Sequence, residues 1–117
     1  MAIPEREQDL IAALQRGETV VINLHKDGGQ KTVEQWAKEH GRFQYIGRFR
    51  PGYGSSRWQN RNKVGTRAEI VEAYAADLQK RPDLLKDLPL LRGKALGCWC
   101  APEPCHGDVL VTLLTDQ

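Results

Sequence analysis

Apolar positions along this chain alternate between helical spacing and short β-branched runs. In residues 5–16, Leu10, Ile11 and Leu14 recur at helical spacing up to Gly17, which predicts an N-terminal helix. "ETVVINLH" (18–25) reads as a short buried strand ending at His25, and "KDGGQ" as a turn. In "TVEQWAKEHG", Val33, Trp36 and Ala37 share one helical face and Gly41 stands at the expected end. "RFQYIGR" (42–48) alternates as a second strand. The run "FRPGYGSSRWQNRNKVG" (49–65) has no period and is rich in Gly, Ser and Asn, so a long loop is expected. Loops of that length in compact domains tend to be functional or disordered.

The clearest helix opens at Thr66. "TRAE" fits a capping box between the Thr66 hydroxyl and the Glu69 carboxylate, and Ile70, Val71, Tyr74, Ala75 and Leu78 form the apolar stripe behind it. "PDLLKDLPLLRG" (82–93) predicts one or two further helical turns with Leu84, Leu85 and Leu88 inward. "KALGCWC" (94–100) is a third strand candidate. "CHGDVLVTLLTDQ" predicts a terminal helix burying Val109, Leu110, Leu113 and Leu114. Strands alternating with helices predict an α/β fold, a small parallel or mixed sheet of three or four strands flanked by helices, in a single domain spanning 1–117. Ligands in such folds lie beyond the carboxyl ends of the strands. Here those ends are His25, Arg48 and the stretch from Cys98 to Cys105.

Charge sharpens this picture. The chain has 17 Lys and Arg against 15 Asp and Glu, a net of +2. Residues 42–67 alone carry seven Lys/Arg and no carboxylate, so this segment is +7 and the remainder −5. Five of the eight aromatics also fall there: Phe43, Tyr45, Phe49, Tyr53 and Trp58. A cationic, aromatic-interleaved segment on an acidic body predicts an anionic partner, a nucleotide or nucleic acid; the bland reading is a solvated surface loop. Within it, Arg48, Arg50, Arg57 and Arg67 are the candidate phosphate contacts. Thr66 and Arg67 would offer an anion the start of a helix, or Thr66 is simply a cap. "PGYGSS" has glycines that admit a phosphate but lacks the Walker lysine and the dinucleotide pattern. No apolar run approaches a membrane span, and "MAIPEREQDL" lacks the pattern of an export signal, so a cytoplasmic setting without membrane partners is expected.

All three cysteines lie in "GCWCAPEPCHGD" (97–108), and His106 follows the last directly. Strand alternation puts Cys98 and Cys100 on one face with Trp99 opposite, and Cys105 at the start of the terminal helix. Three readings stay open. Cys98, Cys100, Cys105 and His106 supply a thiolate–imidazole set for structural zinc, although the C-x-C spacing is not the usual knuckle and a ligand such as His25 would ease the geometry. Alternatively, the helix N-terminus activates Cys105 or a facing Cys100 as a catalytic nucleophile with His106 or His25 as base. The third reading is packing alone. His40, beside Gly41, reads as a helix end.

"YIGR" (45–48), "GTRAE" (65–69), "LRGKALGCWCAPEPCHGD" (91–108) and Asn23 together resemble the family called domain of unknown function 4326, found in bacteria and their phages. The resemblance covers roughly residues 19–114, leaving 1–18 as an N-terminal helix ahead of the family-like core. It departs in the loop, where "RWQNRNK" stands in place of a W-G-N-P-like turn. The closing motif is also similar to a second uncharacterised family, domain of unknown function 488, which has an arginine where this chain has Gly107. Neither resemblance implies a reaction. The leading expectation is a nucleotide- or nucleic-acid-associated protein with a metal-binding or pocket-forming Cys/His corner. The alternatives are a cysteine-dependent enzyme on a phosphorylated or nucleoside-like substrate, and a non-catalytic interaction module.

Overall fold

A computed structural model of the chain describes residues 5–25, 29–99 and 105–115. The elements run α1 (Glu5–Gln15), β1 (Val20–Asn23), α2 (Lys31–Glu39), β2 (Phe43–Tyr45), α3 (Arg67–Gln79), α4 (Pro82–Asp87), a 3-10 turn (Leu88–Leu91), β3 (Ala95–Cys98) and α5 (His106–Thr115). The three strands form one parallel sheet in the order β1-β3-β2. The α/β class expected from the sequence is therefore what the chain adopts, and of the three or four strands, parallel or mixed, that the sequence allowed, the sheet has three among the described residues, all parallel.

The order explains where the helices go. The chain steps from β1 over the central position to β2, then back to β3. A right-handed crossover in each direction puts the intervening helices on opposite faces. On one face, Ile22, Leu24, Tyr45 and Ala95 pack with Leu10 and Leu14 of α1 and Val33 and Ala37 of α2. On the other, Ile46, Leu96 and Cys98 pack with Tyr74, Leu78, Leu84, Leu88, Leu91 and Leu110. Alternation along β3 holds to its end: Cys98 belongs to the second core and Trp99 to the first. Cys100, predicted to share the Cys98 face, lies outside the described residues.

Local chemistry explains the ends of these elements. Gly17 and Gly41 follow α1 and α2 with φ of +90° and +67°, the left-handed geometry that ends helices at glycine. Helix α2 has no side-chain cap of its own. Its Val33 amide donates instead to the buried Glu7 carboxylate of α1 at 2.9 Å, which ties the two helices together and sets a negative charge at the positive end of α2. At the centre of the sheet, a Cβ on Gly97 would stand 2.7 Å from the Leu24 side chain and 2.8 Å from the Phe43 ring, so any larger residue there would force those side chains to move. Among the described residues no helix is long and apolar enough to cross a membrane.

The loop between β2 and α3 has no period, yet it is anchored. Trp58 is 3% exposed and sits in the second core, so this aromatic is core rather than the interface surface that composition suggested. Tyr45 is likewise buried, whereas Phe49 stands 68% exposed. Asn60 is the hub of the loop. Its side-chain amide donates to the Ile70 carbonyl at 3.2 Å, its side-chain oxygen accepts from the Asn62 amide at 2.9 Å, and its backbone carbonyl accepts from Arg48 Nε at 2.9 Å.

Candidate functional site

The central strand delivers Cys98 to the carboxyl edge of the sheet, flanked on both sides. The Leu24 amide donates to the Cys98 carbonyl at 2.9 Å, and the Ile46 amide to the Gly97 carbonyl at 3.0 Å. Opposite it, the chain re-enters at Cys105, immediately before α5. The Gly107 amide donates to Cys105 Sγ at 3.4 Å, and the Cys105 amide donates to Asp108 Oδ2 at 2.9 Å. Together these act as an N-cap in which sulfur takes the place of a hydroxyl and Asp108 reaches back to the Cys105 amide, and they orient the Cys105 side chain. Helix α5 approaches the sheet so closely that a Cβ on Gly107 would lie 2.8 Å from Ile46 Cδ1 and 3.0 Å from Val21 Cγ2. A side chain at this position would have its Cβ driven into those side chains.

These constraints bring Cys105 Sγ to 3.1 Å from Cys98 Sγ, with both residues at most 2% exposed. His106 Nδ1 stands 3.6 Å from Cys105 Sγ, and its Nε2 is 2.6 Å from the Ile46 carbonyl. A carbonyl only accepts, so Nε2 carries the proton. In the neutral ring the lone pair is then on Nδ1, facing the thiol. The ring packs edge-on against Tyr74 at 4.9 Å between centroids, and the Tyr74 hydroxyl donates to the Trp58 carbonyl at 2.9 Å. Burial, followed by the electrostatic influence of the neighbouring Cys105, pushes the Tyr74 hydroxyl well above the usual phenol range.

A cavity of about 720 Å³ opens over this corner. Its wall brings together the two groups of residues that the sequence singled out. Cys98, Cys105 and His106 line it together with Arg48, Arg50 and Arg67; Lys63 joins the basic group, and Phe49 and Trp99 add aromatic surface. No carboxylate stands among its described lining residues. The Arg50 guanidinium lies over the Trp99 ring at 4.6 Å. Arg48 braces the loop through the carbonyls of Asn60 and Asn62, and the Tyr45 hydroxyl, which receives the Trp99 indole N–H at 2.9 Å, donates to the Arg48 carbonyl.

Other expected site residues are engaged elsewhere. Arg57 pairs with Asp87 at 2.6 Å and donates to the Asp83 carbonyl at 3.1 Å, fastening the loop to α4 away from the cavity lining. Thr66 is a cap: its hydroxyl accepts from the Glu69 amide at 3.2 Å and its own amide donates to Glu69 Oε1 at 3.0 Å. Hydrogen bonding to the Glu69 carboxyl from Thr66, its backbone amide first and then its side chain, holds that carboxyl below its usual range. His25 donates through Nε2 to the Trp99 carbonyl at 2.7 Å and lines a second cavity, of about 850 Å³, on the other side of Trp99. Among the described residues it therefore stands apart from the Cys98–Cys105 pair. His40 donates to the Trp36 carbonyl at the end of α2. Among the described residues, no group of three His, Cys, Asp or Glu side chains is placed to hold a metal ion. The fourth member of the expected zinc set, Cys100, lies outside those residues.

Sequence reasoning passed over Lys63, Asp108, Asn60 and the Ile46 carbonyl. Asp108 had a visible signal, since C-x-x-D has the spacing of a capping box. The Ile46 carbonyl had none, because it meets His106 across 60 residues of chain.

The profile of the family described as domain of unknown function DUF4326 matches residues 24–116. The chain belongs to this family. The matched span takes in the cavity and its Cys/His corner, while α1 and β1 precede it. Within the curated proteins, the chain is similar to the "uncharacterized 12.4 kDa protein in nrdA-td intergenic region" of Enterobacteria phage T4, at 37% identity over 55 residues. That alignment covers 44% of this chain and 51% of the phage protein, so the chain spans about half the length of the relative it matches. No solved structure matches the chain.

Proposed function

We propose that this DUF4326 protein binds a small phosphate-bearing ligand of nucleotide size in the cavity at the carboxyl ends of β2 and β3. One observation carries the reading: four cationic side chains and no carboxylate are found among the cavity's described lining residues. The electrostatics of such a concave wall favour an anion, and low-dielectric surroundings strengthen each contact. The volume falls within the roughly 300–1,000 Å³ usual for small-molecule sites. Phe49, exposed at this wall, and Trp99 offer faces on which a base can stack. Among the described residues, neither Arg50 nor Lys63 is paired with a carboxylate, so both charges are available to a ligand. Arg48 serves a different role, holding the loop that carries them.

Titration with AMP, adenosine and inorganic phosphate, followed by tryptophan fluorescence and calorimetry, tests this reading. AMP should bind, adenosine should bind at least tenfold more weakly, and the AMP affinity should fall as salt rises. Arg50→Ala and Lys63→Ala should each weaken AMP by about 5–10-fold, as expected for loss of one charge-assisted contact. Equal affinity for AMP and adenosine, or no binding of either, would refute it. A single-stranded oligonucleotide that binds far more tightly than AMP would transfer the site to nucleic acid.

A further inference from the structure

We infer that Cys98 and Cys105 form a dithiol centre that reduces small disulfides, with Cys105 as the attacking sulfur and His106 as its base. The inference is independent of phosphate binding.

Three observations support it. The two sulfurs are 3.1 Å apart, and a disulfide bond is about 2.05 Å long, so closure needs only about 1 Å of approach. The two thiols are not equivalent. Cys105 Sγ accepts the Gly107 amide at the start of α5 and faces Nδ1 of His106, whose tautomer is fixed by the Ile46 carbonyl; these contacts favour thiolate on Cys105. Finally, Cys98, Cys105 and His106 all belong to the wall of the cavity, each at most 8% exposed, so a small reactant can meet the pair only at that wall, as side chains there give way. A packing role requires none of this asymmetry. In reducing compartments, disulfides of this kind are transient and catalytic.

The step balances without a further reactant. His106 Nδ1 takes the Cys105 thiol proton, and Cys105 Sγ attacks one sulfur of the external disulfide. The external S–S bond breaks, a mixed disulfide forms on Cys105, and the first departing thiolate takes the proton from His106. Cys98 then loses its proton and attacks Cys105 Sγ. The Cys98–Cys105 bond forms, the mixed disulfide breaks, and the second thiolate leaves with that proton. Two electrons pass from the two cysteines to the external disulfide, which departs as two thiols.

The test uses bis(2-hydroxyethyl) disulfide, an uncharged probe, so that a failure of the phosphate reading leaves the result unaffected. Reduced wild-type protein and Cys100→Ser are each mixed with the probe, acid-quenched, alkylated and mapped by mass spectrometry. Both should lose two thiols and yield the Cys98–Cys105 cross-link. Cys98→Ser should retain a stable adduct on Cys105. His106→Gln should form the same cross-link at least tenfold more slowly at neutral pH. Should that variant fail to fold, the wild-type map alone decides. A cross-link that involves Cys100 in the wild type, or disappears in Cys100→Ser, would overturn the inference. So would thiols that stay unreactive until stoichiometric zinc is chelated away.

Discussion

Tyr74→Phe removes a single oxygen from the interior and leaves the ring that packs on His106 in place. The lost hydroxyl donates to the Trp58 carbonyl at 2.9 Å, and both residues are at least 95% buried. A neutral hydrogen bond contributes roughly 0.5–1.5 kcal/mol, and an acceptor left unpaired in the interior costs about 1–3 kcal/mol, so a loss of about 1–2 kcal/mol is expected. For 117 residues, an unfolding entropy of about 2.1 cal/mol/K per residue amounts to roughly 0.25 kcal/mol/K, or about 4 °C per kcal/mol. Calorimetry should therefore show Tm lowered by about 4–8 °C. Amide exchange should also show lower protection around Trp58, because the hydroxyl joins the long loop to α3. A Tm within about 1 °C of wild type would refute the reasoning, since it would mean that the Trp58 carbonyl finds another partner without cost.

Thr66→Ala should lower stability by about 1 kcal/mol in urea titrations through loss of the cap. AMP affinity should change less than twofold; a collapse of affinity would instead place Thr66 in contact with the ligand. At alkaline pH, two phenols, the buried Tyr74 and the half-buried Tyr53, dominate a separate expectation. Burial first, then the hydrogen bond and charge of Glu34, push the Tyr53 hydroxyl from 10.0 up to about 12, and the Tyr74 hydroxyl is raised as well. In the unfolded chain both phenols ionise near pH 10, so their contribution is fully present below that value and is lost as pH rises through the folded values. Urea midpoints should fall between pH ~10 and ~12, and the Tyr53→Phe, Tyr74→Phe double variant should show a flatter profile over the same window.

What could be read from the sequence follows the range of the interactions involved. Helix α3 was legible because its cap and stripe are local, and the structure begins it one residue after Thr66. The parallel order β1-β3-β2 was not, because strands of three and four residues carry no mark of which neighbour they choose. Trp58 and Asn60 were hidden for another reason: an anchored loop buries side chains without any period, so pattern reading sees only polarity. At the site, the meeting of the basic loop with Cys98, Cys105 and His106 in one cavity was expected from the strand ends. The division of labour among the arginines was not legible. Arg57 and Arg50 look alike as residues and are separated only by the position of Asp87.

Every pairing in the sheet runs through β3, whose residues Ala95 to Cys98 join β1 across about 75 positions of chain. On the ribosome, β1 and β2 therefore emerge with no strand to bond to until the last quarter of the chain arrives. The same late segment supplies both cysteines and His106. Sheet and cavity are thus completed in one closing event, and a nascent chain halted before residue 95 has neither.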